Sequence, residues 1–276
     1  MAVVISSELV LNEADAEIPL SYPRILWDDI FRASASTITA STEDADFPAA
    51  NVADGLTFDF WKPTALPAWI EVNANTAVNV DYALLVHTLG SNECSVLFQY
   101  HDGSGWVDLI DEYAPGTDRV LAFLFDEVTA SRFRFYVDGD NSPQQMPAFK
   151  IAMAGKALAM QRGVTLNHRP ITLSRKTVAR PQVSEAGALL GRSIRREGVM
   201  TEIAFESIEA DWLRDKFEPF IESARVYPFG WVWHPSGYPA EVALVWTPSG
   251  KEDIRPEHAG LPDRMNVAFD VEGIIE

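Results

Sequence analysis

The feature that most constrains the fold is the regular spacing of turn residues between residues 33 and 155. Short apolar or alternating runs are separated there by stretches rich in Gly, Asn, Asp and Pro. These stretches tolerate positive φ or fix proline geometry, so they mark turns. The runs that predict strands are 78–86, 95–100, 106–110, 120–125, 132–137 and 149–153. Many short strands joined by such turns indicate a β-sandwich.

Two of these runs predict which faces are buried. Residues 132–137 read Arg-Phe-Arg-Phe-Tyr-Val, so the phenylalanines and the valine share one face and the polar side chains share the other. Only one face of that strand is expected to contact the core. Residues 82–86, by contrast, are apolar throughout, which predicts a central strand covered on both sides.

The chain changes in character after Gly155. Residues 161–196 hold eight Arg and Lys and a single acid, Glu185. We interpret residues 158–190 as a basic connector with little regular structure. Such a stretch either docks on an acidic neighbour, including the N-terminal domain of another copy, or remains a solvated loop.

The last part of the chain predicts a second domain. Residues 200–207 alternate as a strand, and residues 208–224 place Trp212 and Phe220 on the apolar face of a helix. Pro219 lacks an N–H and is expected either to kink this helix or to end it. Residues 231–233, 240–246 and 265–273 read as further strands. Antiparallel strands with one helix indicate an α+β domain.

Length and charge support two domains of different character. At 276 residues the chain exceeds the usual size of a single core. Residues 1–160 hold 8 Lys and Arg against 23 Asp and Glu, a net charge of −15 out of −18. Such a surface repels phosphate backbones, so we expect no direct nucleic-acid binding. No apolar run is long enough for membrane insertion, and we expect no secretory signal, because residues 1–9 have no basic region before their short apolar stretch. The single cysteine, Cys94, fits synthesis in a reducing cytoplasm.

The order of local motifs between residues 33 and 157 resembles a discoidin-type domain. The resemblance is carried by residues 33–36, by 47–61 with Ala-Asn-Val-Ala-Asp-Gly, by 67–72 followed by 78–82, by 102–106, by 130–135 and by 151–155. It implies a jelly-roll β-sandwich similar to carbohydrate-binding modules. We therefore divide the chain into an N-terminal arm (1–32), the sandwich (33–157), the connector (158–190) and a C-terminal domain (191–276). We expect the sandwich to fold alone.

Several residues within the resemblance have both a structural and a functional interpretation. The residues expected in the core are Trp61, Trp69, Phe133 and Phe135, with Trp212 and Phe220 in the second domain. Some discoidin-like domains hold calcium beside the Asp-Gly turn, which implies Asn51, Asp54 and Thr57 as candidates here. Lys150 stands where a carboxylate is often found in that family, and its charge would repel a cation. We otherwise expect no metal and no cofactor.

The chain from about residue 160 is similar to tail proteins of long-tailed phages and prophages. The residues that carry this likeness are 190–198, 210–220, 225–229 and 271–273. The likeness implies a tail-tube or distal-tail type of domain and a place at the tail tip. Such a tip needs rotational symmetry around the DNA channel, so we expect a homo-oligomeric ring, a hexamer in preference to a trimer, in contact with other tail proteins.

The sequence contains no catalytic motif of the common hydrolase, nucleotide-binding or metalloprotease types. We therefore expect a protein that is not an enzyme. Discoidin-like domains often bind sugars, for which aromatic and charged side chains are needed. The candidates are His87, Tyr100, His101, Trp106 and Arg132, each of which also has a packing or surface interpretation.

The sequence is compatible with three functions. The first is a virion structural protein that forms a ring at the tail tip and displays a sandwich able to bind a glycan of the host surface. The second is a carbohydrate-binding protein outside a virion. The third is a glycoside hydrolase, whose paired carboxylates are assembled by the fold and leave no local sequence pattern.

Overall fold

The computed structural model describes residues 3–4, 9–12, 19–139, 146–165 and 168–275. Within these residues the chain is mainly β, with two eight-stranded sheets, one helical segment and short 3-10 turns at Ala49–Ala53 and Ile171–Leu173. The fold class predicted from the turn spacing and the alternating runs is confirmed.

The first sheet contains eight strands. Their bounds are β1 Val3–Val4, β2 Leu9–Asn12, β4 Thr37–Ala40, β5 Ala68–His87, β6 Ser95–His101, β7 Trp106–Asp108, β8 Leu121–Asp138 and β9 Phe149–Gly155. The strand β3, Arg24–Leu26, belongs to the second sheet.

The long strands β5 and β8 run through both layers of a sandwich. Their antiparallel ladder is irregular between Asn73 and Val78 and again between Val80 and Tyr82, and such irregularities bend strands. On one side of the bend the order is β4-β5-β8-β6-β7, which we call the first layer. On the other side it is β9-β5-β8-β2-β1, the second layer.

Aromatic side chains fill the space between the two layers. Phe98 of β6 lies 6.0 Å from Phe133 and 4.6 Å from Phe135, measured between ring centroids. It also lies 5.7 Å from Phe125, which comes from the second layer. All four rings are essentially inaccessible to solvent. The inward-facing side chains of residues 132–137 therefore pack between the two layers of the sandwich.

The two tryptophans expected in this core lie in different environments. Trp61 is fully buried and meets Phe149 edge-on, with ring centroids 5.3 Å apart. Trp69 is half-buried, because its neighbours Ala68 and Ile70 occupy the inward positions of β5. Trp69 therefore lies on the outer side of the first layer and not in the core.

The second sheet contains both the early strand β3 and the C-terminal strands. The additional bounds are β10 Leu158–Ala159, β11 Arg175–Val183, β12 Leu189–Glu209, β13 Phe229–Val232, β14 Val242–Trp246, β15 Glu257–His258 and β16 Arg264–Ile274. Its order is β10-β3-β13-β14-β16-β12-β11, with β15 paired to β16. All of these pairings are antiparallel.

One helical segment packs on this sheet. It consists of α1 Ala210–Trp212, a π-helical turn Leu213–Phe217 and α2 Glu218–Ala224. The wider π turn accommodates Pro219, which has no N–H and clashes with a regular α turn before it. Phe220 is fully buried and lies 4.9 Å from Phe229 between ring centroids, whereas Trp212 is half-buried at the edge of the same core.

The sheets do not follow the domain boundaries that we expected. Arg24–Leu26, from the expected N-terminal arm, pairs with β13 and β10 inside the second sheet, where Ile25 and Leu26 are fully buried. The expected connector contributes the strands β10 and β11. Apolar residues flanking strands β4 to β9 in sequence are thus part of the second sheet. These six strands of the sandwich are inserted between β3 and β10, whereas β1 and β2 precede β3.

A third apolar core joins the sandwich to the second sheet. Ala83 and Leu85 of β5 face the sandwich core, while Tyr82, Leu84 and Val86 face this third core. The buried residues that complete it are Leu26, Val120, Ala122, Leu124, Ile151, Met153, Val232, Val242 and Leu244. The apolar run 82–86 is thus covered on both sides. Isolation of residues 33–157 exposes one side of that run to water, which opposes their folding alone.

Candidate functional site

The outward side of the first layer carries a group of polar and aromatic side chains that we call the outer face. Successive strand residues alternate between faces, so on β5, β6 and β8 these side chains point away from the inward-facing residues next to them in sequence. The register places Arg134 between Glu71 of β5 and Gln99 of β6. The members of the outer face are Trp69, Glu71, Gln99, His101, Trp106, Asp108, Arg132, Arg134 and Tyr136.

A two-point ion pair occupies the first part of the outer face. Arg132 donates from Nε to Oε1 of Glu71 at 2.6 Å and from Nη2 to Oε2 at 3.1 Å. These hydrogen bonds to Glu71 raise the pKa of Arg132. Glu71 is 7% exposed, and both of its oxygens are engaged. The charges of this pair therefore neutralise each other.

A second arginine is held by a neutral partner. Arg134 donates from Nε to Oε1 of Gln99 at 2.6 Å, and Gln99 donates from Nε2 to Oδ1 of Asp108 at 2.5 Å. Gln99 is buried, so its amide has a fixed orientation. Burial lowers the pKa of Arg134, because its charge is partly removed from water.

Aromatic rings frame the two guanidinium groups. The guanidinium carbon of Arg134 lies 4.1 Å from the ring centroid of Trp106 and 5.5 Å from that of Tyr136. Arg132 lies 5.3 Å from the Trp106 ring. His101 meets Trp106 edge-on, at 5.2 Å and 87°. Cation–π contacts of this kind stabilise the orientation of the indole.

The turn between β6 and β7 fixes the position of Trp106. Oδ1 of Asp102 accepts hydrogen bonds from the backbone N–H of Ser104 at 2.7 Å and of Gly105 at 2.8 Å. These bonds lower the pKa of the Asp102 carboxyl. Gly103 has φ +99°, a left-handed conformation that favours glycine. The Asp-Gly-Ser-Gly sequence therefore specifies the turn that returns Trp106 to the sheet.

Three of the five predicted sugar contacts, His101, Trp106 and Arg132, come together on the outer face. Tyr100 does not join them, because it precedes His101 by one residue and packs half-buried against the sandwich core. His87 lies at the end of β5 in the second layer, 1% exposed, where Nδ1 accepts from the N–H of Leu89 at 3.0 Å. Burial lowers the pKa of His87 to about 4.

The sequence prediction missed five members of this face: Glu71, Gln99, Asp108, Arg134 and Tyr136. A signal for two of them was present, because the alternation of residues 132–137 places Arg134 and Tyr136 on the same side as Arg132. The other three depend on the pairing of β5, β6 and β7, which spans distant parts of the chain.

The calcium candidates form backbone contacts at a turn. The side-chain amide of Asn51 donates to the carbonyl of Phe60 at 3.1 Å, and Oδ1 of Asp54 accepts from the N–H of Leu56 at 2.7 Å. Thr57 is exposed. Burial and then the adjacent charge of Asp54 raise the pKa of Asp59. Across the described ranges no group of three or more His, Cys, Asp or Glu is placed to hold a metal ion.

Searches by sequence gave no match. No protein-family model matches this chain, and no curated protein matches it. Among the helices described, none is both long and apolar enough to cross a membrane.

Solved carbohydrate-binding modules are similar to part of the chain. A pectin-binding module is 21% identical with a TM-score of 0.38 and covers 45% of this chain and 91% of its own. Chitosan-binding module 1 from Paenibacillus sp. IK-5 is 19% identical with a TM-score of 0.40 and covers 47% and 99%. The family 32 module of C. perfringens NanJ, solved with galactose, is 14% identical with a TM-score of 0.39 and covers 48% and 98%.

Proposed function

We propose that this chain is a non-catalytic structural protein that binds a glycan through the outer face. The observation that carries the proposal is the placement of Arg134, fixed by Gln99 and framed by Trp106 and Tyr136. A sugar presents apolar C–H surface together with hydroxyl groups. Aromatic rings next to pre-positioned donors and acceptors provide both kinds of contact.

The carboxylates of the outer face support binding without hydrolysis. Glycoside hydrolysis requires two carboxyl groups, of which one must deliver a proton. Both oxygens of Glu71 accept hydrogen bonds from Arg132, and Asp108 accepts one from Gln99. Neither side chain is placed as a free proton donor.

The test of the binding surface is glycan-array screening of the full chain, followed by calorimetric titration of the best ligand. Replacing the indole by Trp106→Ala is expected to weaken binding about 10-fold or more, since stacking and buried aromatic area are lost. Phe58→Ala is the matched control, because Phe58 is 78% exposed on a loop of the sandwich outside the outer face. If Phe58→Ala abolishes binding and Trp106→Ala does not, the glycan binds at the loops instead.

Self-association is the second part of the proposed function, and a two-stranded arm supports it. β16 pairs with β12 only from Val199 onward, whereas β11 pairs with β12 from Val199 back to Leu189. The hairpin of residues 176–198 is therefore without a third strand among the described residues. Its β11 part, residues 176–183, extends about 25 Å beyond the sheet. A free two-stranded ribbon is marginally stable in water, so a covering partner is expected.

The composition of this arm favours a second copy of the chain as the partner. Large apolar side chains on it are exposed, namely Val178, Val183, Leu189, Leu190 and Ile194. Residues 176–198 hold five Arg and Lys against two acids, Glu185 and Glu197, whereas residues 1–160 carry a net charge of −15. The arm of one copy thus complements the acidic half of the next in charge. Head-to-tail contact forms a closed ring when the rotation between copies divides a full turn, and we propose that it does so here.

We place such a ring at the tail tip of a long-tailed phage, assembled in the host cytoplasm and bound to other tail proteins. The support is the likeness of residues 190–198, 210–220, 225–229 and 271–273 to tail proteins, together with the arm. A hexamer is preferred over a trimer. A repeated glycan site around a ring gains strength by multivalency, which suits attachment to a host surface.

Two measurements test this part. Native mass spectrometry at rising concentration is expected to show a cyclic oligomer that Ile194→Asp dissociates, while Leu261→Asp, at a similarly exposed site outside the arm, leaves it intact. Immunogold labelling of virions is expected to mark the tail tip. Carbohydrate-binding activity without any virion labelling would favour the alternative, a carbohydrate-binding protein outside a virion.

A further inference from the structure

The two arginines of the outer face differ in how their charge is balanced. Arg132 forms an ion pair with Glu71 that occupies both carboxylate oxygens. Arg134 forms no ion pair with any of the described residues, and its hydrogen-bond partner there is the neutral amide of Gln99. One positive charge on this surface therefore has no anion in direct contact.

Arg134 is nevertheless held in place. Its Nε is used by Gln99, which is itself fixed by Asp108, and the rings of Trp106 and Tyr136 flank the guanidinium. Burial is the largest cause of the lowered pKa of Arg134, and the nearby charges of Glu71 and Asp108 act to raise it. Neither carboxylate forms an ion pair with the guanidinium in the described residues, so a direct ion pair with Arg134 is available to an anionic group of the ligand.

The geometry of the free end specifies which anion fits. With Nε engaged, Nη1 and Nη2 remain as a planar pair of donors, whose fork matches the two oxygens of a carboxylate. We propose that the glycan bound at the outer face carries a carboxylate, as in a uronic or sialic acid residue, and that Arg134 receives it. This inference rests on the proposed glycan-binding function.

The negative net charge of residues 1–160 further restricts the class of glycan that can bind. Residues 1–160 carry a net charge of −15, so a polyanionic chain is repelled beyond direct contact, over a Debye length of about 8 Å. A single carboxylate on an otherwise neutral glycan meets less repulsion. The ligand class is therefore a neutral oligosaccharide with one acidic residue, and not a polyuronate.

The test compares two forms of one ligand on the full chain. The probe is a neutral oligosaccharide ending in one hexuronic acid, and its partner is the same molecule with the carboxyl reduced to a primary alcohol. The acidic form is expected to bind about 10-fold tighter or more, as for a charge-assisted two-point hydrogen bond. Titration calorimetry measures both affinities.

Variants of Arg134 distinguish the effect of its planar two-point hydrogen bonding from the effect of its positive charge. Arg134→Gln is expected to bind both forms equally, and Arg134→Lys to retain only part of the preference, because an ammonium lacks the planar fork. Arg214→Gln removes the same charge from an exposed position on the helical segment and is expected to keep the full preference. Melting temperatures check that each variant folds.

The outcomes distinguish this inference from the proposed function. If the reduced form binds as tightly as the acid, or if Arg134→Gln keeps the preference, the carboxylate inference is overturned while glycan binding stands. If neither form binds and the glycan array shows no ligand, the proposed function itself fails.

Discussion

The core shared by the sandwich and the second sheet makes a quantitative prediction at Gly230. A Cβ added at Gly230 would lie 2.5 Å from Cδ1 of Leu84 and 3.0 Å from Cβ of Leu26. Gly230→Ala therefore forces Leu84 to move, and overpacking of this kind costs about 1–3 kcal/mol. Leu84→Ala alone removes a fully buried side chain, at about 2–5 kcal/mol.

The double variant Gly230→Ala with Leu84→Ala is expected to lose less free energy of unfolding than the two single variants lose together. The space left by Leu84 accepts the new methyl group, although the contact with Leu26 remains, so we expect a coupling of about 1 kcal/mol. Equilibrium urea denaturation of the two single variants and the double variant measures this coupling. Leu85→Ala is the control, because Leu85 faces the sandwich core and should be additive with Gly230→Ala.

Additivity of Leu84→Ala and Gly230→Ala within about 0.5 kcal/mol would refute the packing of β5 against β13. So would two separate unfolding transitions in the unmodified chain, because a shared core couples the sandwich to the second sheet.

The remaining predictions concern pH, the helix and the isolated sandwich. His87 has a pKa of about 4 in the folded chain against 6.5 ordinarily, so only the unfolded chain takes up its proton between these values, and stability falls by about 3 kcal/mol as the pH drops from 6.5 to 4. Urea titrations across that range should show a flatter dependence for His87→Asn; identical profiles would contradict burial of the neutral ring. Phe220→Ala should cost about 3–5 kcal/mol and Trp212→Ala less, since only Phe220 is fully buried, with glycan affinity unchanged in both. An unchanged melting temperature for Phe220→Ala would rule out the helix packing. Residues 33–157 expressed alone should aggregate, because the apolar outer side of the second layer is exposed; a monodisperse monomer in light scattering would show that this side tolerates water.

Local patterns predicted the fold class, the turns and the inward phenylalanines, because each depends on residues close in sequence. They did not predict that β8 joins runs 120–125 and 132–137 into one strand, since the bend between the layers is set by pairing with β5. They also assign β3 to an N-terminal arm, because its short apolar stretch is buried only by pairing with the distant strands β10 and β13. Pairing between distant segments decides both features.

The residues of the outer face likewise include some that local sequence predicts and some that depend on strand pairing. His101, Trp106 and Arg132 were identified by residue type, and the alternation that buries Phe133 places Arg134 beside them. Tyr100 and His87 have suitable chemistry but point elsewhere, because one lies a single residue out of phase and the other lies in the second layer. The chemistry of a side chain suggests that it can contact a sugar. Its position in the alternation of the strand determines whether it faces solvent on the outer face.

The most direct test of the glycan-binding site is a crystal structure of the full chain with the best array ligand bound. We predict a sugar residue in contact with Trp106 and the guanidinium of Arg134, on the outward side of the first layer. Density for the sugar at the loop of residues 51–60, or beside the buried His87, with the outer face empty, would contradict it.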